Sequence, residues 1–370
     1  MTPNRLITLA IHTYDKALPI KNLLEREGIY VELNNVNLSS PEVSSGVRIR
    51  IREADLPLAL RIVENFEIFA IPDLETIRQK GKILVPTDFS DNSFNAMRVA
   101  MRVASQIGCE VEFMYAYMEP MNRETIQLSD AYDYQLADLE ATQRLQEEAK
   151  MMMKRFTERV KAEMKEGKLP AVKYNSIVVE GLPEEAIVEY SREHKPPLIV
   201  MGTRAAQNKE ADLIGSVSAE VLDSCRVPVI TIPENVDTTG MKVKRVAFFC
   251  NLDQEDMLAI DALYRFFPDS SLEVTLVHVP PTGLRRQLLP IKQTGENLLK
   301  YCREHYEKFQ FELSKENLQK IAVNMGQEGK RYDMLCIPNK RKSAIARVFN
   351  PSIAHRVIFR ADVPMLVIPV

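Results

Sequence analysis

From residue 82 the chain alternates short, nearly continuous apolar runs with longer stretches whose apolar residues recur at helical spacing. The runs are Lys82–Thr87, Glu110–Ala116, Asn175–Val179, Leu198–Met201 and Pro228–Ile232. Between them lie helical patterns over Ser93–Ile107, Ala131–Glu166, Pro183–His194 and Gly215–Ser224. Strand-like runs too apolar to face water on either side predict a parallel sheet with helices packed on both faces.

The same order then returns. Arg245–Phe249 matches the first run, Leu272–His278 the second, Phe309–Leu313 the third and Met334–Ile337 the fourth. The endings Val227-Pro-Val-Ile-Thr-Ile-Pro233 and Val363-Pro-Met-Leu-Val-Ile-Pro369 superpose at an offset of 136, whereas Asp88 and Asn251 align at an offset of 163. The difference falls between the second and third strands, where the first copy carries its longer helix. Glu234–Gly240 is polar and turn-rich and reads as the linker. The expectation is two doubly wound α/β domains of five strands each, over 80–234 and 242–370.

Residues 1–75 have a different pattern. Ile7–Thr13, Ile29–Leu33 and Gly46–Arg52 read as strands, with a helix over Asp15–Gly28 and another opening at Asp55. Gly28 is placed as a C-cap. In the third strand Val47, Ile49 and Ile51 alternate with Arg48, Arg50 and Arg52, which predicts one buried and one wet face. The β-α-β-β-α order suits a small α+β domain.

Composition narrows the function classes. The 48 basic and 51 acidic residues leave a net charge of −3, which argues against a nucleic-acid binder. No stretch approaches the roughly 20 apolar residues of a membrane span, and no secretory leader is evident. Five cysteines, an odd number and widely spaced, build neither a local disulfide framework nor a zinc site, and read as buried thiols of a cytoplasmic protein. The scattered histidines show no metal-ligand spacing, so no metal site is expected. Met151-Met-Met153 reads as buried filler on its helix.

Candidate chemistry lies at the carboxyl ends of the first domain's strands, where open parallel sheets bind ligands. Pro86-Thr-Asp-Phe-Ser90 follows strand one, Met201-Gly-Thr-Arg-Ala205 follows strand four, and Gly215-Ser-Val-Ser218 opens the last helix. Glycines let backbone approach a phosphate, and a helix N-terminus offers N–H donors and positive dipole. Ser216 and Ser218 add hydroxyls, and Asp88 can accept from a ribose. Asp88 also reads as a cap for the helix entered at Ser90–Ser93.

These segments resemble the universal stress protein family, whose nucleotide-binding members carry G-x2-G-x9-G-[ST] after strand four and an Asp after strand one. Gly202, Gly215 and Ser216 fill the pattern, and Ala205 replaces its middle glycine. The resemblance covers about residues 80–370. It implies an adenine nucleotide α-hydrolase-like fold, stress adaptation, dimerisation through the last strand, and ATP or another adenine nucleotide, with Mg2+, as ligand. Pro86, Thr87, Asp88 and Ala116 would line the adenosine side. Met201, Gly202, Ala205, Gly215, Ser216, Val217 and Ser218 would line the phosphate side.

The second copy has Pro338, Arg341 and Pro351 at the three glycine positions and Asn251 at the aspartate, and keeps only Ser352. Proline donates no N–H, so this half reads as a degenerate packing partner. The basic run Lys340-Arg-Lys342 reads as solvated surface charge. An enzyme is the competing class, but the Ser-Gly-Gly-x-Asp-Ser loop of ATP pyrophosphatases is replaced by Pro86-Thr-Asp-Phe-Ser-Asp91, and no nucleophile–base pair is evident. At most slow ATP hydrolysis is expected. The alternative is an interaction or regulatory scaffold that binds no nucleotide.

The repeat itself generates an expectation about assembly. Each half ends on an apolar strand whose unpaired edge seeks a partner, which predicts an intrachain pseudo-dimer with a homodimer as the wider option. Residues 80–235 expressed alone should therefore self-associate in sedimentation experiments. A strictly monomeric fragment of unchanged stability at high concentration would contradict the pairing.

Overall fold

The computed structural model describes residues 6–13, 28–36, 46–56, 74–118, 131–203, 217–252, 255–268, 271–279, 288–306, 308–314, 332–339 and 363–369, with scattered residues between 17 and 25 and residue 59. Ala205, Gly215 and Ser216, and in the second half Arg341, Pro351, Ser352 and the run 340–342, lie outside them. The chain divides into two compact units, residues 80–241 and residues 1–79 with 242–370.

In the first unit, β4 (Lys82–Pro86), β5 (Glu110–Tyr117), β6 (Tyr174–Glu180), β7 (Ile199–Thr203) and β8 (Val229–Pro233) form parallel pairings in the order β8-β7-β4-β5-β6. The helices are α2 (Asp91–Ile107), α3 (Ala131–Lys165), α4 (Pro183–His194) and α5 (Val217–Ser224); α1 (Leu74–Lys80) precedes them in sequence. Each strand follows the apolar run that predicted it. Ile83, Leu84, Val85, Ile199 and Val200 have no exposed surface, as strands covered on both faces require. On α2, Phe94, Met97, Ala100, Met101 and Ala104 repeat at helical spacing and are fully buried. Of the three consecutive methionines on α3 only Met153 is buried; Met151 and Met152 are 50% and 41% exposed. A helix turns successive residues by about 100°, so one surface cannot cover all three.

Residues 234–240 do more than connect. The Thr238 hydroxyl donates to Asn95 Oδ1 at 3.1 Å, Arg102 Nη1 donates to the Thr238 carbonyl at 2.5 Å, and Thr238 is buried. Asn95 Oδ1 also accepts from Arg98 Nη1 at 2.9 Å, and Arg98 forks onto Glu163 of α3, with Nε at 2.9 Å from Oε2 and Nη2 on Oε1. A turn-rich polar segment is thus fastened along α2 by a chain of hydrogen bonds.

In the second unit, β9 (Arg245–Phe249), β10 (Glu273–His278), β11 (Lys308–Leu313), β12 (Met334–Asn339) and β13 (Met365–Pro369) are parallel in the order β11-β10-β9-β12-β13. Strand for strand this is the order of the first unit. Helices α6 (Glu255–Phe266) and α7 (Leu288–His305) belong to it. The amino-terminal part contributes an antiparallel sheet of β1 (Leu6–Thr13), β3 (Gly46–Arg52) and β2 (Val31–Val36), in that order. Val47, Ile49 and Ile51 sit in its core with Leu9, Leu24 and Ile29. Gly28 takes φ +81° as the predicted C-cap, with Ile29 N–H donating to the Leu24 carbonyl. The arginine face is not simply wet. Arg50 Nη2 donates to the Leu6 carbonyl at 3.2 Å, β1 meets α6, and the Arg48 charge acts on the Tyr306 hydroxyl. Arg52 is exposed as predicted, but Arg48 is half-buried toward the other part of the unit, which alternation within one strand cannot foretell.

All five cysteines are buried. Burial pushes the Cys109 and Cys302 thiols up to about 12 and Cys225 up to about 11, so they are protonated fillers at neutral pH. No helix among the described residues is long and apolar enough to cross a membrane.

The Arg98 fork holds the Glu163 carboxyl below the usual glutamate range, against the opposing effect of burial. A lowered folded-state value adds stability above the ordinary value of about 4.3, and the gain is lost as pH falls through the lowered value. Glu163→Gln should cost about 1 kcal/mol at pH 7 in urea unfolding. The gap to the unsubstituted protein should close toward pH 3; a gap independent of pH would contradict this role.

Candidate nucleotide site at the carboxyl end of the first sheet

From β4 the chain moves outward to β5 and β6 and then returns to β4's other side with β7 and β8, so strand order reverses between β4 and β7. A crevice at such a reversal is where open α/β sheets bind ligands. The loop after β4 is built by its own side chains. Thr87 N–H still pairs with the Met114 carbonyl at 2.8 Å, and its buried Oγ1 accepts from Phe89 N–H at 3.0 Å. Ser90 is the N-cap of α2: its Oγ accepts from Ser93 N–H, and Ser93 Oγ donates back to the Ser90 carbonyl at 2.9 Å. That leaves Thr87 as the donor to Ser93 Oγ at 3.0 Å.

Asp88 is therefore not the cap. Its Oδ1 accepts from Ser90 N–H at 3.1 Å and Ser90 Oγ at 2.5 Å, so it braces the residue that caps, from an exposed position. Phe89 has φ +63°, a left-handed conformation that costs roughly 1–3 kcal/mol in a non-glycine residue. Its ring packs 4.5 Å from Tyr115 and 5.9 Å from Phe156, and Phe156 in turn stands edge-on to Phe94 and Phe113. This packing offsets the strain and turns Asp88 outward.

Gly202 lies near the end of β7, paired with Ile232, directly under the first turn of α2. A Cβ there would stand 2.8 Å from Asn92 Nδ2 and 3.0 Å from the Asn92 backbone carbon. Asn92 Nδ2 donates to the Thr203 carbonyl at 2.7 Å, while its buried Oδ1 has no hydrogen-bond partner. The Ser218 hydroxyl, in the first turn of α5, donates to the Gly202 carbonyl at 3.2 Å. Met201 is buried beneath, and Val217 opens α5 half-buried. Pro86 ends β4 opposite Met114, so β5 outruns it and leaves half-buried Ala116 beside the loop.

Thr87, Asp88, Met201, Gly202 and Ser218 thus converge on the reversal point through Asn92, Ser93 and Thr203, which the motif does not include. A polar residue in the first helical turn, opposite a glycine on strand four, was the available signal for Asn92.

The second half uses the same frame differently. Leu252, equivalent to Phe89, has φ +62°. At the position of Ser93 stands Asp256, fully buried, whose carboxylate accepts from Asn251 N–H at 3.1 Å and Leu252 N–H at 2.7 Å. Pro338 is buried at the end of β12, opposite Ile368. A fixed negative charge occupies the donors of this loop.

The contact at Gly202 generates a stability prediction. Gly202→Ala should destabilise the ligand-free protein by about 1–3 kcal/mol in urea unfolding, because both Asn92 and its backbone must shift. Unchanged stability would show that the crossing has room to give.

Comparison with known proteins supplies the family. Residues 80–233 match the family model described as the universal stress protein family. The universal stress protein MJ0531 of Methanocaldococcus jannaschii is 31% identical over 152 residues, spanning 41% of this chain and 81% of that protein. The universal stress protein MJ0577 of the same organism is 26% identical over 155 residues, spanning 41% of this chain and 93% of that protein. The crystal structure of a universal stress protein from Archaeoglobus fulgidus has the same fold over 79% of this chain and 97% of its own, with a TM-score of 0.56 at 17% identity. With the α/β order described above and a relative at this level of identity, the chain belongs to the universal stress protein family.

Proposed function

We propose that the first half binds one adenine nucleotide, ATP foremost, and that the protein acts in stress adaptation as a binding protein rather than an enzyme. The observation that carries this reading is the convergence at the strand reversal of an exposed aspartate, a helix amino terminus and a glycine that lets this helix cross the strand end closely at Asn92. The chain's residues fit the group. Asp88 presents a carboxylate to a ribose, and the buried Asn92 Oδ1 is an acceptor without a donor. The first-turn N–H groups of α2 have no partner within the helix and favour negative charge. Gly215, Ser216 and Ala205 would complete the phosphate side, with Mg2+ as its companion ion.

The second half reads as a degenerate repeat. Asp256 supplies internally the negative charge that a phosphate would bring, and Pro338 withholds an N–H. One nucleotide per chain follows. The Ala205 position favours the scaffold alternative, since the family pattern has glycine there.

Calorimetric titration should give one ATP per chain, with Asp88→Ala weakening it at least tenfold, about 1.4 kcal/mol. Two sites per chain, or equal affinity in the variant, would contradict the assignment; no binding at all would leave the scaffold reading. Ala205→Gly should tighten ATP more than AMP, because only the longer phosphate chain reaches that turn.

A further inference from the structure

The amino ends of the two sheets, opposite the nucleotide site, differ in a way that points to a second ligand. In the first half Lys82 at the start of β4 is neutralised in place. Its Nζ lies 3.0 Å from Glu112 Oε1 of β5, Glu112 is buried, and the Tyr190 hydroxyl of α4 closes on Oε2. Tyr190 is itself stacked on His194 at 4.1 Å. The end of this sheet is filled by its own ion pair and aromatic cover.

In the second half, at the offset of 163, Lys82 becomes Arg245 and Glu112 becomes Thr275. The carboxylate is gone and the cation is kept. Here lies an open cavity of about 500 Å³, lined by cations from three elements: Arg245 of β9, Arg303 of α7 and Lys308 of β11. Its floor is apolar and aromatic, from buried Val274, Phe309 and Tyr332. Glu273 is the lining carboxylate. Asp333 Oδ1 accepts from Arg245 Nη2 at 3.1 Å, and its Oδ2 accepts from Lys244 and Arg245 N–H at 3.0 and 2.8 Å, so Asp333 fixes the Arg245 guanidinium in place at the cavity wall. Arg303, which lines the cavity, is held in place by its Nε donating to the Phe309 carbonyl at 3.1 Å.

We infer that this cavity binds a small organic phosphate, with the phosphate between Arg245, Arg303 and Lys308 and the organic body over Phe309 and Tyr332. Guanidinium groups match phosphate oxygens in pairs, and an ammonium adds a mobile point charge. The volume lies within the range of roughly 300–1,000 Å³ typical of small-molecule sites. The inference does not rest on nucleotide binding by the first half, since it uses other residues at the amino ends of other strands.

The test uses the full chain without added ATP and phenyl phosphate as the probe in a calorimetric titration, with the cavity variants separating this site from any site in the first half. Saturable binding of one phenyl phosphate per chain is expected, with inorganic phosphate weaker for want of a body to cover the floor. Lys308→Gln changes only an exposed side chain and should weaken binding at least threefold. Thr275→Glu restores the carboxylate that Glu112 supplies in the first half and should abolish binding. Lys300→Gln, an exposed lysine outside the cavity, should leave it unchanged. Absence of saturable binding, or equal binding in Lys308→Gln and Thr275→Glu, would overturn the proposal.

Discussion

The first half is organised around one close approach, the crossing of the α2 amino terminus over the end of β7 at Gly202. A side chain at that position would meet Asn92 and its backbone, so the helix can sit against the strand only over a glycine. Once it does, Asn92 ties to the Thr203 carbonyl and Ser218 to the Gly202 carbonyl. Three separate segments are then held within hydrogen-bond reach at the reversal of strand order. Ser90 and Thr87 shape the turn that enters the helix, and the aromatic cluster around Phe156 holds Phe89 in the left-handed conformation that turns Asp88 to the outside. The contacts that pack the helix against the strand are also the ones that shape the proposed site.

The second half keeps the path of this loop and changes its chemistry. The left-handed residue is retained at Leu252, so the path of the chain is the same. With Asp256 in place of a serine, Asn251 and Leu252 N–H donate to a buried carboxylate, where in the first half Phe89 N–H donates to the neutral Thr87 hydroxyl. A buried carboxylate is tolerated when it is hydrogen-bonded, and here its partners are the loop's own donors. At the other end of the sheets the exchange runs the opposite way, where loss of a carboxylate at Thr275 leaves cations around an open cavity. The halves share a scaffold and differ in where it places charged side chains.

Much of this was legible in the chain. Runs such as Leu198–Met201 and Arg245–Phe249 are too apolar for any setting but a covered parallel strand, and Pro183–His194 is bounded by an N-terminal proline and charged last turn that fix its ends. Glycine at 202 was legible as a close approach, but not what approaches it: the neighbour is 110 residues earlier in sequence. For the same reason Asp88 read as a helix cap, although Ser90, two residues on, takes that role. Asp256 reads as an ordinary acidic residue in a first helical turn, because burial by distant elements leaves no local trace. Residues 234–240 have the composition of a linker, yet their fastening depends on Asn95 and Arg102. Arg48 likewise alternates as a surface residue would, and is covered by a part of the chain about 250 residues away.

The central proposal is that the two homologous loops, alike in backbone, differ by the buried carboxylate of Asp256, which stands where the first half has the Ser93 hydroxyl and would repel a phosphate. Backbone amide chemical shifts of the full chain, followed by NMR as ATP is added, test it most directly. The account predicts saturable shifts at Thr87–Asn92, Met201–Thr203 and Val217–Ser218, with Cys250–Asp256 unmoved. Equal shifts at both loops, or shifts confined to Cys250–Asp256, would contradict it.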